Sequence, residues 1–416
     1  MHLLFPSSSL CSAVFSSLYI MGDYGSSDPV KGQLFSLDQA DPEFAAAFAD
    51  SQQASGGFFT SAPLGELRIQ HTALEKQSYE ITSTLGTKES VGKIRMRDGY
   101  DSEIRIFRPS SLPDNGGPLI VLIFGGGYLV GTNMQLVPFA RSLSALYNAT
   151  AITVSYRLAP EYPFPTAPED IWDSLKWIAQ HATLLGADPS KGFILGGVSA
   201  GGHLTTLTAQ RAVKEKLSPP LTGIWASVPV TTLTADSLPE KYRADWVSRV
   251  ENANAPILNV ADINEAEVHY KPDVLSDNFT PYAHRDLAPY LPPAYIQVVG
   301  MDPLRDDGLV YERYLKDNGV KTRLDFYPGV PHCHYAFHPE LESSKKFRRD
   351  VALGVGWLLG EEVNEKRVIE VAREALGLEK SVQVEVQQVK SATVTRKKWD
   401  VLALLTSVWR PLGQRP

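Results

Sequence analysis

Five short, nearly continuous apolar runs recur along the middle of the chain and constrain its fold more than any other feature. They read PLIVLIF (118–124), TAITVSY (150–156), KGFILGG (191–197), GIWASVP (223–229) and AYIQVVG (294–300). Runs of this kind are typical of strands that are buried on both faces of a parallel sheet. Helical patterns lie between them, for example over Glu169–His181 and Gly202–Glu215. Strands alternating with helices predict an α/β fold, in which helices cover both faces of a mostly parallel central sheet.

Segments of a different character surround this alternating core. KIRMRD (93–98) and SEIRIFRP (102–109) alternate apolar and polar residues, which predicts half-buried antiparallel strands. Before them, Asp41-Pro42 is typical of a helix start, and a second helical pattern runs over Leu64–Tyr79. Residues 230–293 separate two of the apolar runs. Because this is longer than a normal crossover, we expect an insertion with structure of its own, in which KYRADWVSRVENA is helical.

The charge and the cysteines exclude several kinds of function. The chain carries 40 Lys and Arg against 47 Asp and Glu, a formal net charge of −7, whereas nucleic-acid binding usually needs a basic face. Its two cysteines, Cys11 and Cys333, form neither a disulfide framework nor a pattern with metal-ligand spacing. We therefore expect no nucleic-acid partner, no metal and no cofactor.

The first 21 residues contain no Lys, Arg, Asp or Glu. A secretory signal needs a positively charged start and an unbroken apolar part, but the charge is missing here and PSSS interrupts the apolar part. We expect a cytoplasmic rather than a secreted protein, with Met21 as an alternative start. No stretch approaches the ~20 apolar residues of a membrane-spanning helix.

A candidate nucleophile follows the third apolar run. The sequence Gly197-Val198-Ser199-Ala200-Gly201 stands between a predicted buried strand and a predicted helix. Small residues on both sides of a serine allow a tight strand-to-helix turn from which the hydroxyl projects. Glycine and serine are common, so the pattern alone does not separate a nucleophile from a glycine-rich turn. The assignment of Ser199 depends on its partners.

An acid and two histidines follow Ser199 at the ends of later strands. Asp302 comes directly after AYIQVVGM, while His332 and His334 come after RLDFYPGVP. The carboxyl ends of parallel strands meet at one edge of a sheet, where catalytic groups gather. A serine hydroxyl needs a base to take its proton, and the base needs an acid to hold its tautomer. The order serine, acid, histidine therefore predicts a catalytic triad.

Each partner has an alternative. Asp302 is assigned as the acid because it stands at the strand end, although Asp302, Asp306 and Asp307 are also suited to capping the next helix. His332 is assigned as the base because it closely follows the turn Pro328-Gly329, and His334 is its rival.

Three consecutive glycines, Gly125 to Gly127, follow the first apolar run. Acyl transfer places negative charge on a carbonyl oxygen, which backbone N–H groups stabilise where no Cβ blocks the approach. We predict an oxyanion hole formed by the amides of Gly126 and Gly127, with that of Ala200 after the nucleophile. The alternative, a phosphate-binding loop, lacks both the GxGxxG spacing and the P-loop lysine.

Five motifs in this order resemble the hormone-sensitive-lipase family of α/β-hydrolases over roughly residues 90–360. They are FGGGY for the family's His-Gly-Gly-Gly loop, Tyr156–Glu161 (YRLAPE), GVSAGG for the family's Gly-Asp-Ser-Ala-Gly-Gly, Asp302–Asp306 (DPLRD), and Gly329–His332 for Gly-x-x-His. The resemblance implies an α/β-hydrolase fold with Ser199, Asp302 and His332 as the triad. It also implies a helical cap over the acyl pocket.

The predicted organisation has four parts: a leader (1–30), N-terminal cap helices (31–90), an α/β-hydrolase catalytic domain (91–360) with a cap insertion around 231–290, and a C-terminal extension of unknown role (361–416). The extension contains the alternating VQVEVQQV and the apolar WDVLALLTSVW, but no catalytic motif.

Two residues depart from the family pattern. Val198 replaces the acid before the serine, at a position that varies widely among serine hydrolases. Phe124 replaces the histidine before the glycines, whose expected role is to brace the oxyanion loop. This second departure bears on rate and substrate rather than on the reaction class, because the backbone donors remain.

The sequence thus predicts a serine carboxylesterase that acts on a small or medium apolar ester. The same site would also suit acyl transfer or elimination on a complex metabolite. A third alternative is a small-molecule receptor on the same fold; such receptors in this family have lost the catalytic histidine, which is present here as His332. The sequence does not predict an oligomeric state.

Overall fold

The computed structural model describes residues 40–50, 57–82, 84–361 and 364–375. A single eight-stranded sheet forms its centre, with the spatial order β1-β2-β4-β3-β5-β6-β7-β8. The strands are β1 (Lys88–Arg95), β2 (Asp101–Arg108), β3 (Leu119–Ile123), β4 (Thr150–Val154), β5 (Phe193–Val198), β6 (Gly223–Ser227), β7 (Ala294–Met301) and β8 (Thr322–Pro331). The five apolar runs and the strand before His332 thus all form strands, as predicted.

The strand directions divide the sheet into two parts. β1 pairs with β2 and β2 with β4 in antiparallel orientation, whereas the pairs from β4 through β3, β5, β6 and β7 to β8 are all parallel. β1 begins before KIRMRD and ends at Arg95, because a turn follows in which the Gly99 amide bonds to the Met96 carbonyl. The mostly parallel α/β sheet that the sequence predicted is confirmed.

Helices cover both faces of the sheet. The helices are α1 (Pro42–Asp50), α2 (Leu64–Ile81), α3 (Val137–Tyr147), α4 (Thr166–Gln180), α5 (Ala200–Lys214), α6 (Ser248–Glu251), α7 (Val260–Tyr270), α8 (Arg305–Asp317), α9 (His334–Phe337), α10 (Glu342–Leu359) and α11 (Glu365–Ala375). Successive residues of β3 alternate between two cores: Val121 belongs to the one that includes α4, α5 and α8, and Leu122 to the one that includes α3 and α10. This alternation buries both faces and explains why the runs are continuously apolar.

The N-terminal segment contacts the insertion. α1 begins as predicted, with Asp41 Oδ1 accepting from the amides of Glu43 and Phe44. Further along, the two carboxylate oxygens of Asp262 at the start of α7 accept the amides of Phe58 and Thr60, at 2.9 and 3.0 Å. The two segments predicted to form a cap are therefore joined to each other by a largely buried carboxylate.

The insertion departs from the expected helix. Instead of one helix over KYRADWVSRVENA, there is a 3₁₀ turn at Glu240–Asp245 and then the four-residue α6. The amides of Val247 and Ser248 donate to Asp306 Oδ2 at 2.7 and 2.6 Å rather than to carbonyls of a preceding turn. This tertiary contact interrupts the helix, so the prediction of a continuous helix was wrong.

At the other end, α11 packs against α3 and α10 and buries Val368 and Val371. The first part of the predicted extension therefore contacts the main body of the protein. The leader and the motifs VQVEVQQV and WDVLALLTSVW lie outside the described residues. Within the described ranges, no helix combines the length and the apolar character that crossing a bilayer requires.

Candidate active site

Ser199 lies at the sharp turn between β5 and α5. It is the one residue between the strand and the helix, and it adopts φ +55° and ψ −120°, a strained conformation for a residue with a side chain. A Cβ at Gly197 would overlap the carbonyl of Gly201, and a Cβ at Gly201 would overlap that of Ile123. The glycines on both sides are thus required by the close approach of three chain segments, and the turn projects the serine as predicted.

His332 lies between Ser199 and Asp302. Its Nε2 is 2.9 Å from Ser199 Oγ, and its Nδ1 is 2.6 Å from Asp302 Oδ2. The exposed fractions of Ser199, His332 and Asp302 are 9%, 6% and 1%. A carboxylate only accepts hydrogen bonds, so Nδ1 carries the proton and Nε2 offers its lone pair to the serine hydroxyl. The structure thus joins the three residues in one buried chain of hydrogen bonds.

Opposing influences set the pKa of His332. Burial is the largest and lowers this pKa, because a low dielectric disfavours the imidazolium. The charge of Asp302 and its hydrogen bond to Nδ1 act in the opposite direction, and the pKa is raised well above its usual value. The site therefore stabilises the imidazolium that forms when His332 Nε2 accepts a second proton.

Asp302 is fixed on both its side chain and its backbone. Its Oδ1 accepts the amide of Leu304 at 2.8 Å, while the carbonyl of Asp302 accepts from Asn252 Nδ2 at 3.0 Å. Capping the following turn and contacting His332 are therefore not alternatives, because the two carboxylate oxygens do one each.

The two neighbouring acids point elsewhere. Asp306 accepts the amides at the start of α6, and Asp307 Oδ1 accepts those of Thr231 and Thr232 at 2.8 and 3.1 Å. Both therefore anchor the insertion rather than reach His332. Across the described ranges, no group of three or more His, Cys, Asp or Glu is placed to hold a metal ion.

His334, the rival of His332, lies in a different environment. Cys333 adopts φ +52° and turns the chain between the two histidines. The ring of His334 lies against Phe347, with centroids 5.6 Å apart, and close to Tyr327. Burial lowers the pKa of His334 to about 4. The geometry therefore favours His332 as the partner of Ser199.

The glycine loop, which carries two of the three predicted amide donors, runs close to Ser199. Gly126 and Gly127 adopt φ +123° and +58°, in the left-handed region that favours glycine. A Cβ built on the preceding Gly125 would lie 3.1 Å from Ser199 Cβ, so the loop runs beside the serine. Within the described part of the chain, no acceptor pairs with the amides of Gly126 and Gly127. The Ala200 amide, at the first position of α5, has no partner within its own helix.

Comparison with known proteins decides the family. A sequence profile described as the alpha/beta hydrolase fold matches residues 120–336, which include the glycine loop, the serine turn, the acid and the histidine. The chain belongs to the hormone-sensitive-lipase family of α/β-hydrolases. It is 36% identical over 300 residues to an AB hydrolase superfamily protein of Schizosaccharomyces pombe, a match that covers 71% of this chain and 87% of that one.

Several similar proteins carry names that state an activity. The versiconal hemiacetal acetate esterase of Dothistroma septosporum is 34% identical over 260 residues, which cover 61% of this chain and 78% of the esterase. The solved structure of vibralactone cyclase has a TM-score of 0.71 and 30% identity, over 77% of this chain and 95% of the cyclase. Further relatives carry esterase names as well. The family and these relatives make this chain an enzyme, a carboxylesterase-like hydrolase.

The departure at Phe124 has a structural counterpart. The Phe124 ring stacks on Tyr156 of the YRLAPE motif, with centroids 4.2 Å apart and planes 9° apart, and Tyr156 Oη donates to the Phe124 carbonyl at 3.2 Å. An aromatic contact thus occupies the position of the family histidine. This stacking and the hydrogen bond of Tyr156 fix Phe124, the residue directly before the three glycines.

Two further contacts of the glycine loop were not predicted. Tyr128 Oη donates to His203 Nδ1 at 2.5 Å, because His203 Nε2–H donates to the Phe279 carbonyl. Burial lowers the pKa of His203 to about 4, which keeps this ring neutral. Gln135 Oε1 accepts the amide of Gly125 at 2.8 Å. No local sequence pattern signals these pairs, because each joins residues from separate segments of the chain.

Proposed function

We propose that this enzyme hydrolyses carboxylic esters of small or medium apolar acids through an acyl-enzyme on Ser199. The observation that carries the proposal is the buried hydrogen-bonded chain from Asp302 through His332 to Ser199, beside a glycine loop with unpaired amides in the described part of the chain.

Acylation would begin when Ser199 Oγ attacks the ester carbonyl carbon and gives its proton to His332 Nε2. Asp302 faces the Nδ1–H and would stabilise the imidazolium that forms. The carbonyl oxygen becomes an oxyanion, which the amides of Gly126, Gly127 and Ala200 would stabilise. Collapse of the tetrahedral intermediate breaks the bond to the alkoxy oxygen, which takes the proton from Nε2 and leaves as the alcohol.

Deacylation would use the same groups with water. His332 takes a proton from water as the water oxygen attacks the acyl carbon of Ser199, and the oxyanion again lies at the glycine loop. Collapse returns the proton to Ser199 Oγ and releases the carboxylic acid. His332 therefore acts first as base and then as acid in each half of the cycle.

Apolar side chains next to the loop support an apolar substrate. The position of a Gly127 Cβ lies 2.5 Å from Phe59 Cζ and 3.5 Å from Ala266 Cβ, so the N-terminal segment and α7 both reach the loop. The Phe58 ring lies 6.3 Å from that of Phe337 in α9, which follows His332. We infer that these two segments form the cap and that their apolar side chains select the acyl group.

A series of p-nitrophenyl esters of rising acyl length tests the proposal. We expect kcat/KM to be highest for a short or medium acyl chain and to be lost in Ser199→Ala by ~10⁴-fold or more. His332→Ala should lose about as much, while His334→Ala serves as the matched control and should keep most of the activity. Turnover that persists in a folded Ser199→Ala protein would contradict the mechanism.

Acyl transfer is the second candidate function. It is favoured by the similarity to vibralactone cyclase, whose name shows that this fold also supports cyclisation. In that case a hydroxyl of the substrate or of a second molecule would replace water in the attack on the acyl-enzyme. Product analysis with added alcohols distinguishes the two functions: for an esterase the free acid should dominate at every alcohol concentration, whereas for a transferase the new ester should dominate.

A further inference from the structure

The glycine loop is held by a side chain that lies outside every motif of the family. Gln135 Oε1 accepts the amide of Gly125 at 2.8 Å, and Gln135 Nε2 donates to the Gly125 carbonyl at 3.4 Å. Only this orientation of the amide suits both backbone groups, since one is a donor and the other an acceptor. Gln135 therefore fixes the peptide groups on both sides of Gly125, the second of which carries the Gly126 amide.

Gln135 is in turn held by a buried carboxylate of α2. Glu75 is 5% exposed, and its Oε1 accepts from Gln135 Nε2 at 3.3 Å. Its Oε2 accepts from Thr132 Oγ1 at 2.5 Å, and His71 Nδ1 lies 3.0 Å from Oε1. Burying a carboxylate is costly unless hydrogen bonds compensate. Here the compensating groups come from the far end of the same loop, so Glu75 ties Thr132 and Gln135 to one point.

A second side chain of α2 holds the middle of the loop. Arg68 Nε donates to the Leu129 carbonyl at 2.7 Å, and its guanidinium also pairs with Glu161 at 2.7 Å. The glycine loop is thus attached to α2 at Gly125, through Gln135, and directly at Leu129. The amides of Gly126 and Gly127 lie between these attachments.

We propose that Gln135 and Glu75 are positioning residues for the oxyanion hole. This inference rests on the proposed function, because it gives α2 a role only if the Gly126 and Gly127 amides bind an oxyanion. Neither side chain touches the reacting atoms. They act by keeping the Gly125–Gly126 peptide, which carries the Gly126 N–H, in one orientation, so that this donor is already aimed when negative charge develops.

This role predicts a particular kinetic signature. The oxyanion exists only in the transition state and the tetrahedral intermediate, so a loosened loop lowers kcat and leaves KM nearly unchanged. A trifluoromethyl ketone forms a tetrahedral oxyanion with the serine and should lose affinity by the same factor as kcat/KM. If the contact only stabilised the fold, its loss would lower the melting temperature without lowering kcat and the affinity for the ketone together.

The experiment compares variants of the full chain on one short p-nitrophenyl ester. Gln135→Leu leaves the Gly125 amide unpaired, and we expect it to lower kcat by about 10- to 100-fold while KM stays within twofold. This loss is smaller than the ~10²–10³-fold loss that follows removal of one oxyanion-hole donor. Gln135→Glu keeps an acceptor for Gly125 but places a second carboxylate beside Glu75, and it should also lower kcat. The exchanged pair Glu75→Gln/Gln135→Glu restores one carboxylate and one amide but not the donor to the Gly125 carbonyl, so kcat should recover in part, by about threefold or more over Gln135→Glu alone.

Asp173→Asn is the matched control. Asp173 is a buried carboxylate that accepts from Arg97 Nε and Nη2 at 2.9 and 2.7 Å, and its contacts do not include the loop. The Asp173→Asn variant should be less stable than the wild type, while its kcat and its affinity for the ketone stay within twofold of the wild-type values.

Two results would overturn the proposal. One is a folded Gln135→Leu enzyme whose kcat and ketone affinity remain within threefold of the wild type. The other, decisive if Gln135→Leu fails to fold, is an exchanged pair that recovers no activity relative to Gln135→Glu alone. Absence of Ser199-dependent turnover in the wild type would instead refute the proposed function, so the two failures are distinguishable.

Discussion

Replacing Asp302 by Asn tests the proposed role of His332 as base, because Asp302 holds the ring of His332 in the tautomer that the reaction needs. Asp302 Oδ1 accepts the Leu304 amide at 2.8 Å, so the oxygen of an asparagine must stay on that side. The Nδ2 group then faces His332 Nδ1, where Asp302 Oδ2 now lies at 2.6 Å. Because Nδ2 is a donor, Nδ1 must become the acceptor and the proton of the ring moves to Nε2. In this tautomer His332 cannot accept the proton of Ser199.

The expected loss is large because the base is held in the wrong tautomer rather than displaced. The corresponding substitution in a serine protease lowers kcat by ~10⁴-fold, and at ~1.36 kcal/mol for each factor of ten this equals ~5.4 kcal/mol of transition-state stabilisation. The acid limb of the pH profile should move as well. In the wild type the raised pKa of His332 makes activity fall as the pH drops through that value, above the usual range of histidine. Without the carboxylate, burial acts with less opposition, so the limb of any residual activity should lie at lower pH.

The assay is kcat/KM against pH on one p-nitrophenyl ester, with circular dichroism to confirm folding. Asp350→Asn is a suitable control. Asp350, in α10, is also buried, but its carboxylate accepts from Tyr327 Oη at 2.9 Å and not from His332. A folded Asp302→Asn enzyme within tenfold of the wild type, or with an unmoved acid limb, would refute the assignment of Asp302 and its electrostatic role.

Three further predictions follow from the packing. Gly127→Ala places a Cβ 2.5 Å from Phe59 Cζ at a φ of +58°, so kcat should fall by at least about tenfold. Adding Phe59→Ala to this variant should recover part of the lost kcat, whereas no effect of Gly127→Ala on kcat would contradict the close fit. Phe124→His buries an imidazole against the Tyr156 ring and should lower the free energy of unfolding in urea by about 1–3 kcal/mol. We expect kcat to change by less than about tenfold, and a much larger rise in kcat would mean that the native loop is poorly braced. Truncation before α11 removes two buried valines, so its product should be less stable than the product of truncation after Ala375 by about 3 kcal/mol. Equal stability of the two products would contradict the packing of α11.

Local patterns were sufficient for the sheet and for the positions of the candidate residues. A strand buried on both faces must be apolar at every position, so runs such as PLIVLIF predict it directly. Ser199, Asp302 and His332 each follow such a strand, and parallel strands bring their carboxyl ends to one edge, which is why residues far apart in the chain could be grouped.

What the sequence did not predict depends on contacts between distant segments. The sequence favoured His332 over His334 from the preceding Pro328-Gly329 turn, but it did not indicate the turn at Cys333, whose φ of +52° separates the two rings. The insertion is not one helix, since the carboxylate of Asp306 takes the amides that would have continued it. The pairing of Glu75 with Gln135 joins residues 60 positions apart, and neither belongs to a motif. By contrast, the amphipathic pattern of α11 is a local feature that predicts a packed helix.

Covalent labelling of Ser199 tests the central claim most directly. A fluorophosphonate reacts with a serine only where a base activates the hydroxyl and an oxyanion hole receives the phosphoryl oxygen. Intact-mass analysis of the treated wild type should give one adduct, peptide mapping should assign it to Ser199, and loss of ester turnover should follow the extent of labelling. Ser199→Ala should remain unlabelled under the same conditions. A wild-type protein that hydrolyses esters while Ser199 stays unmodified, or that is labelled equally in Ser199→Ala, would contradict the account.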